Sequence, residues 1–201
     1  MFSTGKAGQA SNDIRRLEFI LMKATPTPLP GLLLLEPKVL GDARGFFLES
    51  YNEKIMADFG IRERFVQDNQ SFSTRNVLRG LHYQICHPQG KLVRVVAGEI
   101  LDVAVDLRRS SPSFGKWHGT ILSGENKRIF WIPPGFAHGF LVVSETAHVL
   151  YKATDFYHPE FERTLAWNDP EVNIDWKLQG EPVISAKDAL GVALRKAETF
   201  E

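Results

Sequence analysis

From Leu32 onward the apolar positions fall in short runs, each closed by a glycine, a proline or a polar pair. LLLLEPKVL stops at Gly41-Asp42. In EILDVAVDLR, Leu101, Val103, Val105 and Leu107 alternate with Asp102, Ala104, Asp106 and Arg108. That period of two predicts a half-buried strand. Ala97-Gly98-Glu99 turns the chain between this strand and KLVRVV. KRIFWIP, GFLVVS and HVLYKATD are further strand candidates, punctuated by Pro133-Pro134-Gly135 and Ser144-Glu145-Thr146. The period changes at NEKIMADFG, where Ile55, Met56 and Phe59 share a helical face, Asn52 can cap and Gly60 can end the helix. A second helix can start at Ser185. Many short strands with close turn signals predict an all-β sandwich or barrel with a few short helices. A jelly roll is the form with room for a polar small-molecule site inside.

Residues 1–24 read as a separate, flexible N-terminal extension, with a single domain over 25–201. Ser11 or Asn12 can cap a short helix with Ile14, Leu17 and Leu21 on one face, and TPTPLPG then breaks any helix. Met22 is a candidate alternative start, since everything that reads as organised follows it.

Composition removes several classes. Lys+Arg and Asp+Glu both total 24, which gives no electrostatic footprint for nucleic acid or for a membrane surface. No apolar run approaches the roughly 20 residues that span a bilayer. The single cysteine, Cys86, forbids an intrachain disulfide and fits a reducing, cytoplasmic setting.

The candidate chemistry concentrates in NVLRGLHYQICHPQGKLVRVVAGE, which places Arg79, His82, His87, Lys91 and Arg94 between two strand-like runs. His82 reads either as a packed core histidine or as a general base with an intrinsic pKa near working pH. Lys91 reads either as a solvated charge or, pointing inward beside His82, as a group that stabilises an oxyanion. A jelly-roll metal site would draw two ligands from one strand face as His-x-His, and here the spacing is His82-Tyr83-Gln84. His87 has the wrong parity and lies in a loop, and His118, His138, His148 and His158 are scattered, so no metal is expected. Arg44 in GDARGFF and Arg79 in VLRGLH are each followed by glycine, and an arginine fork suits phosphate oxygens. No glycine-rich nucleotide loop is present, so side chains would hold any phosphate. Tyr151 shares a strand face with Val149 and Ala153, and is either a satisfied half-buried tyrosine or a proton donor. In SAKD, Ser185 and Asp188 form a helix capping box on their own.

The order of these segments is more specific than any one of them. EPKVLGDARGFFLES, FVQDNQSFS, VLRGLHYQ, QGKLVRVVAGEILDVAVDLR, SPSFGKW, NKRIFWIPPGFAHGFLV, YKATDFYHPEFE, WNDP and ISAKD, in that sequence, closely resemble the dTDP-4-dehydrorhamnose 3,5-epimerase family. The resemblance runs from about residue 29 to about residue 190. It implies a cupin-type jelly roll, a homodimer, a dTDP-sugar substrate, and no cofactor or metal. It implies that His82 is the base, Asp188 the acid paired with it, Lys91 the lysine near the keto oxygen, and Tyr151 the proton donor. Arg44, Glu49, Gln67, Asn69, Arg79, His138, Glu162 and Lys187 match positions that contact the nucleotide sugar. Phe47 and Tyr157 are candidates for packing on the thymine ring. Asn76 stands where glycine is common, and ICHPQG is shorter than in some members.

The chemistry implied needs no redox cofactor. A ketone at C4 of the sugar acidifies the hydrogens at C3 and C5, so a base, an enolate-stabilising cation and an acid on the other face suffice. Single-site epimerases share much of this residue set and are the first alternative. A metal-dependent cupin and a non-catalytic sugar-binding protein are others.

Overall fold

A computed structural model describes residues 21–201. The elements in chain order are β1 (Met22–Pro26), β2 (Leu33–Pro37), β3 (Leu40–Asp42), β4 (Gly45–Phe47), α1 (Glu53–Asp58), β5 (Gln67–Thr74) and β6 (Leu78–Gln84). β7 (Lys91–Ala97), β8 (Glu99–Asp106), β9 (Trp117–Ser123), β10 (Ile129–Ile132), β11 (Phe136–Val142), β12 (Thr146–Ala153), β13 (Glu162–Thr164) and α2 (Ala186–Ala189) follow. The strands pair antiparallel in two main sheets. One has the order β1-β2-β10-β7-β12-β5 and the other β13-β6-β11-β8-β9, with β3-β4 as a separate hairpin. This is the all-β jelly roll expected from the pattern of short strands. The helix proposed near Ser11 lies outside the described residues. Met22, Lys23 and Ala24, counted with the extension on sequence grounds, pair with Pro37, Glu36 and Leu35, and Met22 is buried.

Two apolar clusters explain the layering. The inner one, between the sheets, contains Val93, Val95, Ile100, Ala104, Phe130, Ile132, Phe136, Phe140 and Val149. The second covers the outer face of the five-stranded sheet, where Leu101, Val103, Val105 and Leu107 meet Val172, Trp176, Leu194, Ala197 and Phe200 from the C-terminal segment. Fully burying a side chain of this size contributes about 1.5–3 kcal/mol. The expectation of a half-buried β8 is corrected here: Ile100 through Asp106 are all buried. The alternation is present, but its apolar face packs under the C-terminal segment. Its other face, with Ile100, Asp102 and Ala104, points between the sheets, so a polar residue enters the interior.

Local signals behave as their chemistry requires. Asn52 caps α1 by accepting from the backbone N–H groups of Lys54 and Ile55. Ser185 caps α2 by accepting from the Asp188 N–H at 3.1 Å. At the centre of the five-stranded sheet, β6 and β11 approach unusually closely beside a register shift between His138 and Phe140. A Cβ at Gly80 would stand 2.6 Å from the His138 carbonyl oxygen, and one at Gly139 would stand 2.6 Å from that of Arg79. Glycine is required on both strands, and the close approach sets His82 directly opposite His138.

Candidate active site

The interior side of each sheet carries a different half of a polar cluster. On the five-stranded sheet, His82 Nε2–H donates to Asp188 Oδ1 at 2.5 Å. A carboxylate only accepts, so the ring proton sits on Nε2 and the Nδ1 lone pair is left free. Asp188 is buried and also accepts from the Gly80 N–H at 3.4 Å. Burial alone would raise its pKa, but the bond to His82, the charge of that ring and the Ser185 and Gly80 donors hold it below the usual carboxylate value. The helix cap and the histidine partnership therefore coexist at one residue, its backbone serving the first and its side chain the second.

Beside His82 on the neighbouring strand, His138 Nε2 donates to both oxygens of Asp102, at 2.9 and 3.0 Å. Asp102 is wholly buried, and desolvation raises its pKa against the pull of His138 and Lys91. His138, expected to touch the sugar, is itself buried with one ring nitrogen committed to this carboxylate. Asp102 was missed in the sequence because the β8 pattern assigned it to a solvent face. An aspartate in the middle of the strand, flanked by Ile100 and Leu101 on one side and Val103, Ala104 and Val105 on the other, is the signal that could have found it.

The six-stranded sheet supplies the facing half. Lys91 lies opposite Ala153, which lies opposite Gln67, and Tyr151 lies opposite Val93 and Asn69. Period-two alternation then puts Lys91, Tyr151, Gln67 and Asn69 on one face. Desolvation pushes the Lys91 ammonium down to about 8, against the attraction of Asp102 and Glu162. Burial, reinforced by the Glu162 charge, raises the Tyr151 phenol and keeps it protonated.

Glu162, at the start of β13, links the halves. It feels the charge of His82, binds Lys187 Nζ at 2.6 Å and accepts from the Tyr157 hydroxyl at 2.6 Å. Burial would raise its pKa, but Lys187 and Tyr157 bring it below its ordinary value. The bond to Glu162 in turn pushes the Tyr157 phenol up to about 12. Gln67 Nε2 donates to Asn69 Oδ1, and Gln67 Oε1 accepts from the Tyr157 N–H, which ties this loop to β5. Arg79 is exposed beside the cluster and donates to Ser73 Oγ at 3.0 Å and to the Phe72 carbonyl at 3.4 Å. Asn69 Nδ2 and Glu49 Oε1 are buried with no hydrogen-bond partner among the described residues. Native structures leave few such atoms, which favours a polar ligand at these positions.

The fold thus brings together His82, Asp188, Lys91, Tyr151, Glu162, Lys187, Tyr157, Gln67, Asn69, Arg79 and His138. It does not bring Arg44 or Phe47 to them. Both lie on the β3–β4 hairpin, where Arg44 is engaged with Asp42 at 2.5 Å and Phe47 is 68% exposed.

A histidine with Nδ1 unengaged and a protonated tyrosine on the interior sides of facing sheets, with a buried lysine on the tyrosine's sheet, are the parts of a proton-transfer site. The family model for dTDP-4-dehydrorhamnose 3,5-epimerase matches residues 26–196. The chain belongs to this family. A dTDP-4-dehydrorhamnose 3,5-epimerase of Pseudomonas aeruginosa is 59% identical over 180 residues, covering 89% of this chain and 99% of the relative. The crystal structure of a dTDP-6-deoxy-D-glucose-3,5-epimerase from Legionella pneumophila, in complex with dTDP-4-keto-L-rhamnose, superposes with a TM-score of 0.86. It is 53% identical and covers 88% of this chain and 95% of that one. A 3'-monoepimerase from Streptomyces bikiniensis, solved as a double mutant with dTDP, has a TM-score of 0.79 at 30% identity, covering 85% and 86% of the two chains. The chain is accordingly an isomerase, a sugar-nucleotide 3,5-epimerase of dTDP-rhamnose biosynthesis. No helix among the described residues is long and apolar enough to cross a membrane.

Proposed function

We propose that this epimerase converts dTDP-4-dehydro-6-deoxy-D-glucose to dTDP-4-dehydro-L-rhamnose using His82, Lys91, Tyr151 and Asp188. His82 Nδ1 takes the proton from the carbon next to the ketone, and the C–H electron pair moves into an enolate whose charge rests on the C4 oxygen. Asp188 holds the ring and stabilises the imidazolium, as the acid does in a histidine triad. Lys91 stabilises the enolate oxygen. Tyr151 returns a proton from the opposite face and is then reprotonated by solvent, while the His82 imidazolium gives its proton up to solvent. The sequence runs once at C5 and once at C3. The observation that carries this reading is the placement of His82 and Tyr151 on facing sheets, since inversion requires removal and return of the proton on opposite faces.

Arg79, Gln67, Asn69, Glu162, Lys187 and Tyr157 are assigned to the nucleotide sugar, with Arg79 on the pyrophosphate. Arg44 and Phe47 on the exposed hairpin, with the half-buried Glu49 just after it, fit a homodimer in which this segment serves the cleft of the second chain. A nucleotide-sugar substrate and the exposed Cys86 thiol fit a cytoplasmic setting.

The first experiment is NMR of the substrate with the enzyme in D2O. Deuterium at both C3 and C5, with formation of the L-rhamno product, is the expected result. Washout at one carbon alone would make this a single-site epimerase. Binding without any exchange would remove the catalytic reading.

A further inference from the structure

Two loops at the end of the barrel bring together side chains that lie far apart in the chain. His87 is in the β6–β7 loop, and Asp155 and His158 are in the β12–β13 loop. The His87 and His158 rings stack with centroids 4.5 Å apart, and His87 Nδ1 lies 3.4 Å from Asp155 Oδ2. One ligand atom from each of the three residues lies within 4.8 Å of the other two.

We propose that His87, Asp155 and His158 form a surface site for a divalent transition metal ion such as Zn2+, separate from the catalytic cluster. Two imidazoles and a carboxylate are the donors that borderline ions of this class prefer over Mg2+ or Ca2+. Bonds of about 2.0–2.1 Å to such an ion require donors about 3.3–3.4 Å apart. The His87–Asp155 pair already stands at that spacing, and rotation of the exposed His87 ring and the half-buried His158 ring closes the other two edges.

The backbone under these side chains is held in place. Gln84, buried in β6, donates to the carbonyls of His87 and Phe156 at 2.8 and 3.2 Å and accepts from the His158 N–H at 2.8 Å. Gln89 Nε2 donates to the Asp155 carbonyl at 2.8 Å, and Asp155 Oδ1 accepts from the Phe156 N–H at 2.8 Å. That last bond leaves Oδ2 turned toward His87. Glu160 Oε1 lies 3.5 Å from His158 Nδ1, placed to orient that ring when Nε2 takes the ion. No His-x-His pattern on one strand marks this set, because its members meet only across two loops.

An ion here would clamp the loop that carries Tyr157 to the loop that follows His82. The test is calorimetric titration of metal-free protein with Zn2+, with Mg2+ as the control. One equivalent of Zn2+ per chain, no saturable Mg2+ binding, and at least a tenfold loss of Zn2+ affinity in both His87→Ala and His158→Ala would support the site. The Cys86→Ser variant should keep the affinity, and bound Zn2+ should shift the imidazole resonances of His87 and His158. Absence of saturable Zn2+ binding, or unchanged affinity in the two histidine variants, would overturn it.

Discussion

Tyr151 and His82 act on opposite faces of the sugar in this reading, so their substitutions should fail in different ways. In His82→Ala nothing removes the proton. Turnover should fall by about 10²–10⁴-fold, and exchange of substrate hydrogens with D2O should stop with it. In Tyr151→Phe the base remains. His82 can still take a proton and return a deuteron from the same face, so the substrate should exchange without inverting. Proton NMR in D2O separates the two, and equal loss of exchange in both variants would be incompatible with facing roles. Lys91 adds a pH dependence. Its ammonium is held down to about 8, so the charged form that stabilises the enolate is present below that pH and lost above it. The rate should therefore decline on the alkaline side near pH 8, and the residual activity of Lys91→Met should lack that decline.

The β6–β11 crossing shows how an element sets the site. Gly139→Ala would place a methyl 2.6 Å from the Arg79 carbonyl, which a backbone atom cannot relieve by rotating away. The strands must separate, and overpacking of this kind costs about 1–3 kcal/mol. Since the same crossing sets His82 opposite His138, the melting temperature and kcat should drop together, and an unchanged kcat in the folded variant would show that the crossing is only structural. These elements also mark what the sequence can convey. The period of two, the turn residues and the Asn52 cap are local, and they placed the strands and α1. Partners across the barrel are not local, so the Glu162 link to Lys187 and His82, and the entry of Asp102 into the interior, became visible only once the sheets were assembled. Asp188 stands between the two cases. Its capping role was legible beside Ser185, whereas its bond to His82, 106 residues earlier, followed only from the resemblance.

Charge behaves differently at the scale of the whole molecule. Basic and acidic residues balance at 24 each, so no net field steers an anionic nucleotide from a distance. Most cations near the cleft are also compensated: Lys187 by Glu162, and Lys91 by Asp102 and Glu162. Arg79 differs, since its hydrogen bonds go to a hydroxyl and a carbonyl. Salt should therefore act on binding mainly through this exposed residue. Screening tightens as the Debye length falls from about 10 Å at 0.1 M to about 3 Å at 1 M. Over that range KM should rise several-fold while kcat stays nearly constant, because the buried proton-transfer groups are screened much less. Removing a charge-assisted contact costs about 1.5–3 kcal/mol. Arg79→Ala should thus raise KM by roughly 10- to 100-fold and flatten its salt dependence. A salt dependence that survives intact in Arg79→Ala would move the pyrophosphate contact to other cations, with Arg44 on the hairpin of a second chain the first to test.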